Sequence, residues 1–246
     1  MALRKVRLDQ LLVQKGIADS RSKARAMIMA GVVQVDGRVI DKPGREVSGS
    51  AKVGIQEKYP PYVSRGGVKL EAGIKAFGIN LKGLRLLDVG ASTGGFTDCL
   101  LKHGASQVIA IDVGYGQLDW SLRNDPRVIL LERTNIRHVQ KEALPFLPDG
   151  ATIDVSFISL RLVIPKVTEL LAPRSFIIAL IKPQFEAGRE LVGKGGVVRD
   201  HALREKLVKE IQAFSEDVGW RNAGYIPSPI LGPKGNQEYL LYLTRP

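Results

Sequence analysis

The chain has 246 residues, 44% of them hydrophobic, and a formal net charge of +11; that allows one large domain or two unequal ones with a packed core, and points to a polyanionic partner. A single cysteine, Cys99, excludes an intramolecular disulfide and a thiolate zinc cluster, and its position suggests packing rather than reactivity. The N-terminus has no apolar stretch of secretory type and the longest apolar run, Phe176 to Ile181, is too short for a bilayer, so a cytoplasmic setting is expected.

The charge is uneven. Residues 1–62 hold 12 Lys+Arg against 6 Asp+Glu, which makes nucleic acid the leading partner and an anionic membrane surface the second. Within residues 6–15, Leu8, Leu11 and Leu12 form one apolar helix face that Gly16 can end. Ser20 is then a good N-cap for a second helix, with Ala24, Met27 and Ile28 on its apolar side and Gly31 after it. Arg21, Lys23 and Arg25 lie off that stripe, free to face a ligand; with Arg4, Arg7 and Arg65 they are the candidate RNA contacts. Asp36-Gly37 between Val32–Val35 and Arg38–Ile40 predicts a hairpin.

From Arg7 to Gly37 the chain resembles the S4 RNA-binding domain, through Arg7-Leu8-Asp9, Leu12, Gly16, Ser20-Arg21, Ala24, Ile28, Gly31, Val33, Val35 and Gly37. The resemblance implies recognition of structured RNA through phosphates and shape, and no chemistry of its own.

A linker is expected over 56–63, where Pro60-Pro61 interrupts regular structure, which divides the chain into 1–55 and 64–246. Beyond it, strand-like runs at 84–89, 107–113, 127–132, 152–158, 175–182, 223–227 and 238–244 alternate with helix-like segments near 67–77, 96–103, 117–123, 160–171 and 201–218. That alternation predicts an α/β, Rossmann-like, mostly parallel sheet. The last loop is too short for a crossover helix, so the final strand should return antiparallel.

The most informative stretch is Leu84-Arg-Leu-Leu-Asp88-Val-Gly90-Ala-Ser-Thr-Gly94-Gly95-Phe96, an apolar strand running into a glycine-rich turn and a helix. Asp112 ends a second apolar run about twenty residues later, placed to accept hydrogen bonds from a ribose diol. The G-x-G-x-x-G spacing of dinucleotide binders is absent, so a nucleoside cofactor without a pyrophosphate, S-adenosylmethionine (SAM), fits better than a dinucleotide; a tight strand-to-helix turn in some other α/β protein is the alternative. The candidate cofactor residues are Gly90, Ala91, Ser92, Gly94, Gly95 and Phe96 at the methionine end, Asp112 at the ribose, and Val113, Asn135 and Ile136 near the adenine. Asp88, Asp112 and Lys182 would all emerge at the carboxyl ends of parallel strands.

The chain as a whole resembles the TlyA family, rRNA 2′-O-methyltransferases also labelled haemolysins. The likeness covers Tyr62-Val-Ser-Arg-Gly-Gly-Val-Lys-Leu70, Asp88 to Phe96, Asp112-Val-Gly-Tyr-Gly-Gln-Leu118, Asp154-Val-Ser-Phe-Ile158 and Lys182-Pro-Gln-Phe-Glu186. In the wider FtsJ-like group a Lys-Asp-Lys-Glu tetrad marks ribose 2′-O methylation, and Lys69, Asp154, Lys182 and Glu238 occupy those positions in order. The resemblance implies SAM as cofactor, ribosomal RNA or ribosomal subunits as partner, and cytidine as the modified nucleotide. Asn135, where many relatives have an acid, is the least secured of these positions. In this reading Lys182 is the base, Lys69 orients the ribose, and Asp154 and Glu238 fix the lysines. A lysine that only positions the hydroxyl and stabilises the developing alkoxide is the alternative.

Lys194 sits among glycines, but the full phosphate-loop pattern is absent; residues 186–199 read as a mobile loop near the substrate. His103, His138 and His201 are dispersed and predict no metal site, and His103-Gly104 reads as a helix C-terminus. Three rivals remain: a pore-forming haemolysin, a ribosome-binding factor with an inert domain, and another S4-bearing RNA enzyme such as a pseudouridine synthase. The first finds no spanning segment or β-barrel pattern, the second no need for the tetrad, and the third no use for the glycine turn.

Overall fold

The structure, a computed structural model, describes residues 5–29, 31–55, 61–193 and 195–245. Arg4, Lys194 and residues 56–60 of the expected linker lie outside them. The chain divides into two compact units between Gly67 and Val68.

The first unit runs β1 (Lys5–Arg7), α1 (Leu8–Gln14), α2 (Arg21–Met29), β2 (Val33–Val35), β3 (Arg38–Val39), β4 (Glu46–Ser48) and β5 (Val53–Ile55). The first helix starts at Leu8, not at residue 6, because Lys5–Arg7 pairs antiparallel with Glu46–Ser48. Ser20 caps α2 as its position predicts, its Oγ accepting from the Lys23 N–H at 3.2 Å. Asp36 and Gly37 have φ of 50° and 77°, the left-handed pair that a two-residue hairpin turn requires. Leu8, Leu12, Ala24, Ile28 and Val33 are fully buried in the core of this unit. Burying a large aliphatic side chain of that kind stabilises by about 1.5–3 kcal/mol.

The chain continues through α3 (Gly66–Phe77), β6 (Arg85–Val89), α4 (Gly95–Lys102), β7 (Gln107–Ile111), α5 (Trp120–Arg123), β8 (Val128–Leu131), β9 (Gly150–Ile153), α6 (Leu160–Leu170), β10 (Ser175–Ile181), α7 (Pro183–Glu186), α8 (His201–Asp217), β11 (Arg221–Pro227) and β12 (Tyr239–Arg245). Seven strands form one sheet in the order β11-β12-β10-β9-β6-β7-β8. β10, β9, β6, β7 and β8 are parallel, and β12 runs antiparallel to both its neighbours. This is the expected α/β sheet with an antiparallel last strand. Every residue of β10 is buried, which is why that segment reads as continuously apolar rather than alternating.

Register decides where the polar residues go. Ile153 pairs with Ala179, and Ile181 with Tyr239. Asp154, Lys182 and Glu238, each the residue flanking one of these strands, therefore share one edge of the sheet. Gly90 and Asp112 follow β6 and β7 at that same edge. The expected strand over 152–158 is corrected: β9 stops at Ile153, and Asp154–Ser159 is a loop in which Phe157 has φ of 64°. A left-handed residue cannot continue a strand.

Candidate active site

A cleft of about 1260 Å³ opens at this edge of the second unit. Gly90, Ser92, Asp112 and Val113 line it from the ends of β6 and β7, and Asn135 and Ile136 from the segment after β8. Gly90 has φ of 86°, and a Cβ there would stand 2.6 Å from the Asp154 carbonyl oxygen, so only glycine lets the two strand ends pass. The Asp112 carboxylate accepts from the Ser92 N–H at 2.8 Å and the Gly114 N–H at 2.6 Å, tying the two turns together. Each of its oxygens keeps a further lone pair. Asn135 accepts from the Arg137 N–H at 3.1 Å and so shapes the short turn that carries Ile136. An acceptor-only carboxylate beside Val113 and Ile136 fits the ribose diol and the adenine of SAM.

The remaining cofactor candidates do not line the cleft. Ala91 and Phe96 are buried, and Gly95 opens α4. A Cβ on Gly94 would stand 2.9 Å from Leu118 Cδ1 and closer still to Leu122, so this glycine makes room for α5. Asp88 does not emerge either. It is fully buried and accepts hydroxyls from Thr97 at 2.6 Å and Thr152 at 2.9 Å. Burial pushes its pKa up to about 6, against those hydroxyls, which pull it down.

The four tetrad candidates form two ion pairs. Lys69, on the first turns of α3, donates to Glu238 Oε2 at 2.5 Å. Lys182 Nζ lies 2.6 Å from Asp154 Oδ1 and donates to Ser156 Oγ at 3.0 Å. Lys69, Lys182 and Glu238 are buried, whereas Asp154 lines the cleft. The other Glu238 oxygen has no hydrogen-bond partner among the described residues and lies against Gly232, where any Cβ would overlap it. Asn236, 2% exposed, accepts from the Val198 N–H at 3.0 Å and donates to the Gly196 carbonyl at 2.9 Å. It thus ties the loop that lines the cleft at Val192, Gly193 and Gly196 to the turn before Glu238.

The residue types of the tetrad gave no sign of two aromatic groups beside it. Phe157 is 90% exposed at the cleft, in the left-handed conformation, which costs a non-glycine residue about 1–3 kcal/mol. Its ring centroid is 5.0 Å from that of Phe185. A strained, solvent-facing phenylalanine at the cleft is suited to stacking on a base. Reading 152–158 as a strand-like run concealed it.

In the first unit four of the candidate RNA contacts make ion pairs with carboxylates of that unit. Arg7 grips the fully buried Asp9 through two hydrogen bonds, at 3.0 and 2.9 Å, and Arg21 donates to the same carboxylate at 3.2 Å. Those hydrogen bonds, Arg7's above all, hold Asp9 down to about 2. Lys23 pairs with Asp19 at 2.6 Å and Arg65 with Asp41 at 2.8 Å, while Arg25 is exposed. Arg7, Arg21, Lys23 and Arg65 each hold a carboxylate of the same unit, yet Arg7, Arg21 and Lys23 keep about half of their side-chain surface exposed. Anchoring along one edge leaves other guanidinium N–H groups of Arg7 available and restricts its rotamers in advance.

The S4 domain family matches residues 6–53 and the FtsJ-like methyltransferase family residues 62–245. A Bacillus subtilis protein provisionally named an rRNA methyltransferase, YqxC, is 48% identical over 247 residues, covering 100% of this chain and 88% of its own. The 16S/23S rRNA (cytidine-2′-O)-methyltransferase TlyA of Mycobacterium tuberculosis is 46% identical over 241 residues, covering 98% of this chain and 90% of its own. A solved structure from Streptococcus thermophilus, provisionally named a hemolysin, aligns with a TM-score of 0.78 and 41% identity over 99% of this chain and 90% of its own. Among the described residues, no helix is long and apolar enough to cross a membrane.

Proposed function

Because the chain belongs to the FtsJ-like methyltransferase family and uses SAM, we propose that it methylates the ribose 2′-oxygen of a cytidine in ribosomal RNA. The observation that carries this reading is the presence of two lysine–carboxylate pairs at the sheet edge where the cleft opens. The similarity to a relative named for that reaction supports it. The cleft, at about 1260 Å³, exceeds the roughly 300–1,000 Å³ of a single-ligand pocket, which suits a cofactor together with a nucleoside.

When bound, SAM supplies an electrophilic methyl carbon on a sulfonium. The part of the chain is alignment and proton handling. Asp112 holds the cofactor ribose. Lys182 takes the proton of the 2′-hydroxyl onto Nζ, while Asp154 and Ser156 set the direction of that nitrogen. Lys69 orients the target ribose, and Glu238 fixes Lys69. Phe157, with Phe185 behind it, offers a face to the base.

Residues 1–55 act as the RNA-binding domain, 56–63 as the linker and 64–246 as the catalytic domain. The RNA contacts include Arg4, Arg7, Arg21, Lys23, Arg25 and Arg65, and the enzyme works in the cytoplasm. The test is methyl transfer from radiolabelled SAM to purified small and large ribosomal subunits and to free rRNA. Label in the RNA of a subunit is the expected result. No label on any of these, with SAM binding measured, would overturn the reading.

A further inference from the structure

The loop Asp154–Ser159 carries the ion-pair partner of Lys182 at one end and the exposed Phe157 near the other, yet it is neither strand nor helix. Such a segment keeps a left-handed phenylalanine only if its surroundings impose it. The short helix α7 (Pro183–Glu186) and the lysine before it do this at three points. Lys182 meets Asp154 and Ser156, Phe185 packs on Phe157, and Glu186 meets the far end of the loop.

Glu186 is the least expected of the three. It is buried, its Oε1 accepts from the Leu160 N–H at 2.9 Å, and its Oε2 accepts from the Ser159 hydroxyl at 2.6 Å. The Ser159 Oγ accepts in turn from the Arg161 N–H at 3.2 Å. One carboxylate thus settles the start of α6, where the first backbone N–H groups have no partner within the helix. Lys182 precedes and Glu186 ends the single turn of α7, so one short element carries both anchors of the loop.

We propose that Glu186 is a positioning residue: by fixing the start of α6 it holds the 154–159 loop, so that Asp154 and Ser156 meet Lys182 and Phe157 stands at the cleft. This rests on the methyl-transfer reading above. It assigns Glu186 no contact with substrate or cofactor.

The test compares Glu186→Ala and Glu186→Gln with the wild-type protein by methyl transfer, SAM calorimetry and hydrogen exchange of residues 154–160. Glu186→Ala should lower kcat at least about tenfold, because small misplacements at a reacting centre are costly. Its SAM affinity should stay within about twofold, and exchange in 154–160 should quicken. A glutamine can accept from the Leu160 N–H and donate to the Ser159 Oγ, so Glu186→Gln should return kcat to within about threefold of wild type and restore slow exchange. Unchanged kcat and exchange in Glu186→Ala would overturn the proposal. So would a Glu186→Gln protein that exchanges like wild type yet is as slow as Glu186→Ala, since charge and not position would then matter. If the wild-type protein transfers no methyl group, the functional reading fails, and the exchange comparison alone decides the clamp.

Discussion

Asp9 in the first unit and Asp88 in the second are both fully buried carboxylates, held by opposite means. Two arginines reach in from the surface to Asp9 and keep it ionised, down to about 2. Two threonine hydroxyls hold Asp88, and burial drives it up to about 6. The first arrangement places cations at the surface, where a polyanion can meet them, and uses a buried acid to hold them still. The second holds its buried acid with neutral hydroxyls instead. In the catalytic unit the buried lysines are reserved for the edge where the cleft opens, each with its own carboxylate. Charge is thus arranged differently in the two units, at the surface around a buried acid in one and as buried lysines beside carboxylates in the other.

Substitutions can break or sharpen that contrast. Lys182→Ala should lower methyl transfer by about 10²–10⁴-fold, the usual contribution of a positioned acid or base. SAM affinity by calorimetry should hold, and near-normal turnover would remove Lys182 from the chemistry. Glu238→Ala leaves Lys69 buried without its partner, and should cost about 3–5 kcal/mol in denaturant unfolding of the second unit. Asp9→Ala should cost the first unit less, about 1–3 kcal/mol, because Arg7 and Arg21 are half-exposed and water can take over. Its SAM affinity should not change; a large loss there would erase the division of labour.

The pH dependences of the two units should differ in sign. Asp9 lies below its ordinary value of 3.8, so its contribution is present above that pH and fades as pH falls towards about 2. Asp88 lies above 3.8, so its contribution is complete below that value and is lost as pH rises through about 6. Asp88→Asn should flatten the second dependence and shift stability at neutral pH by no more than about 1 kcal/mol. Retention of the slope in that variant would assign it to another group, such as Glu186, which burial also raises. Smallest of all, Arg25→Ala should reduce the slope of log affinity for RNA against log salt by about one.

Much of this was legible in the sequence where periodicity and punctuation agree. The parallel strands, the Ser20 cap, the hairpin at Asp36-Gly37 and the His103-Gly104 helix end follow from local rules. β4 and β5 did not, since strands of three residues are too short to show an alternating pattern. Of the glycine-turn candidates, Gly90 and Ser92 line the cleft, whereas the space beside Gly94 is taken by Leu122 and Leu118, which the glycine spacing alone does not show. Phe157 and Glu186 were hidden because their roles come from contacts between α7 and the loop before α6, which no spacing in one segment encodes.

The central claim is that the methyl group goes to a ribose oxygen, and the chemistry of the product tests it most directly. RNA labelled by the wild-type protein from radiolabelled SAM would be hydrolysed in alkali, which cleaves next to a free 2′-hydroxyl only. Label in alkali-resistant dinucleotides that yield 2′-O-methylcytidine on digestion is the expected result. Label released in mononucleotides carrying a methylated base would contradict it.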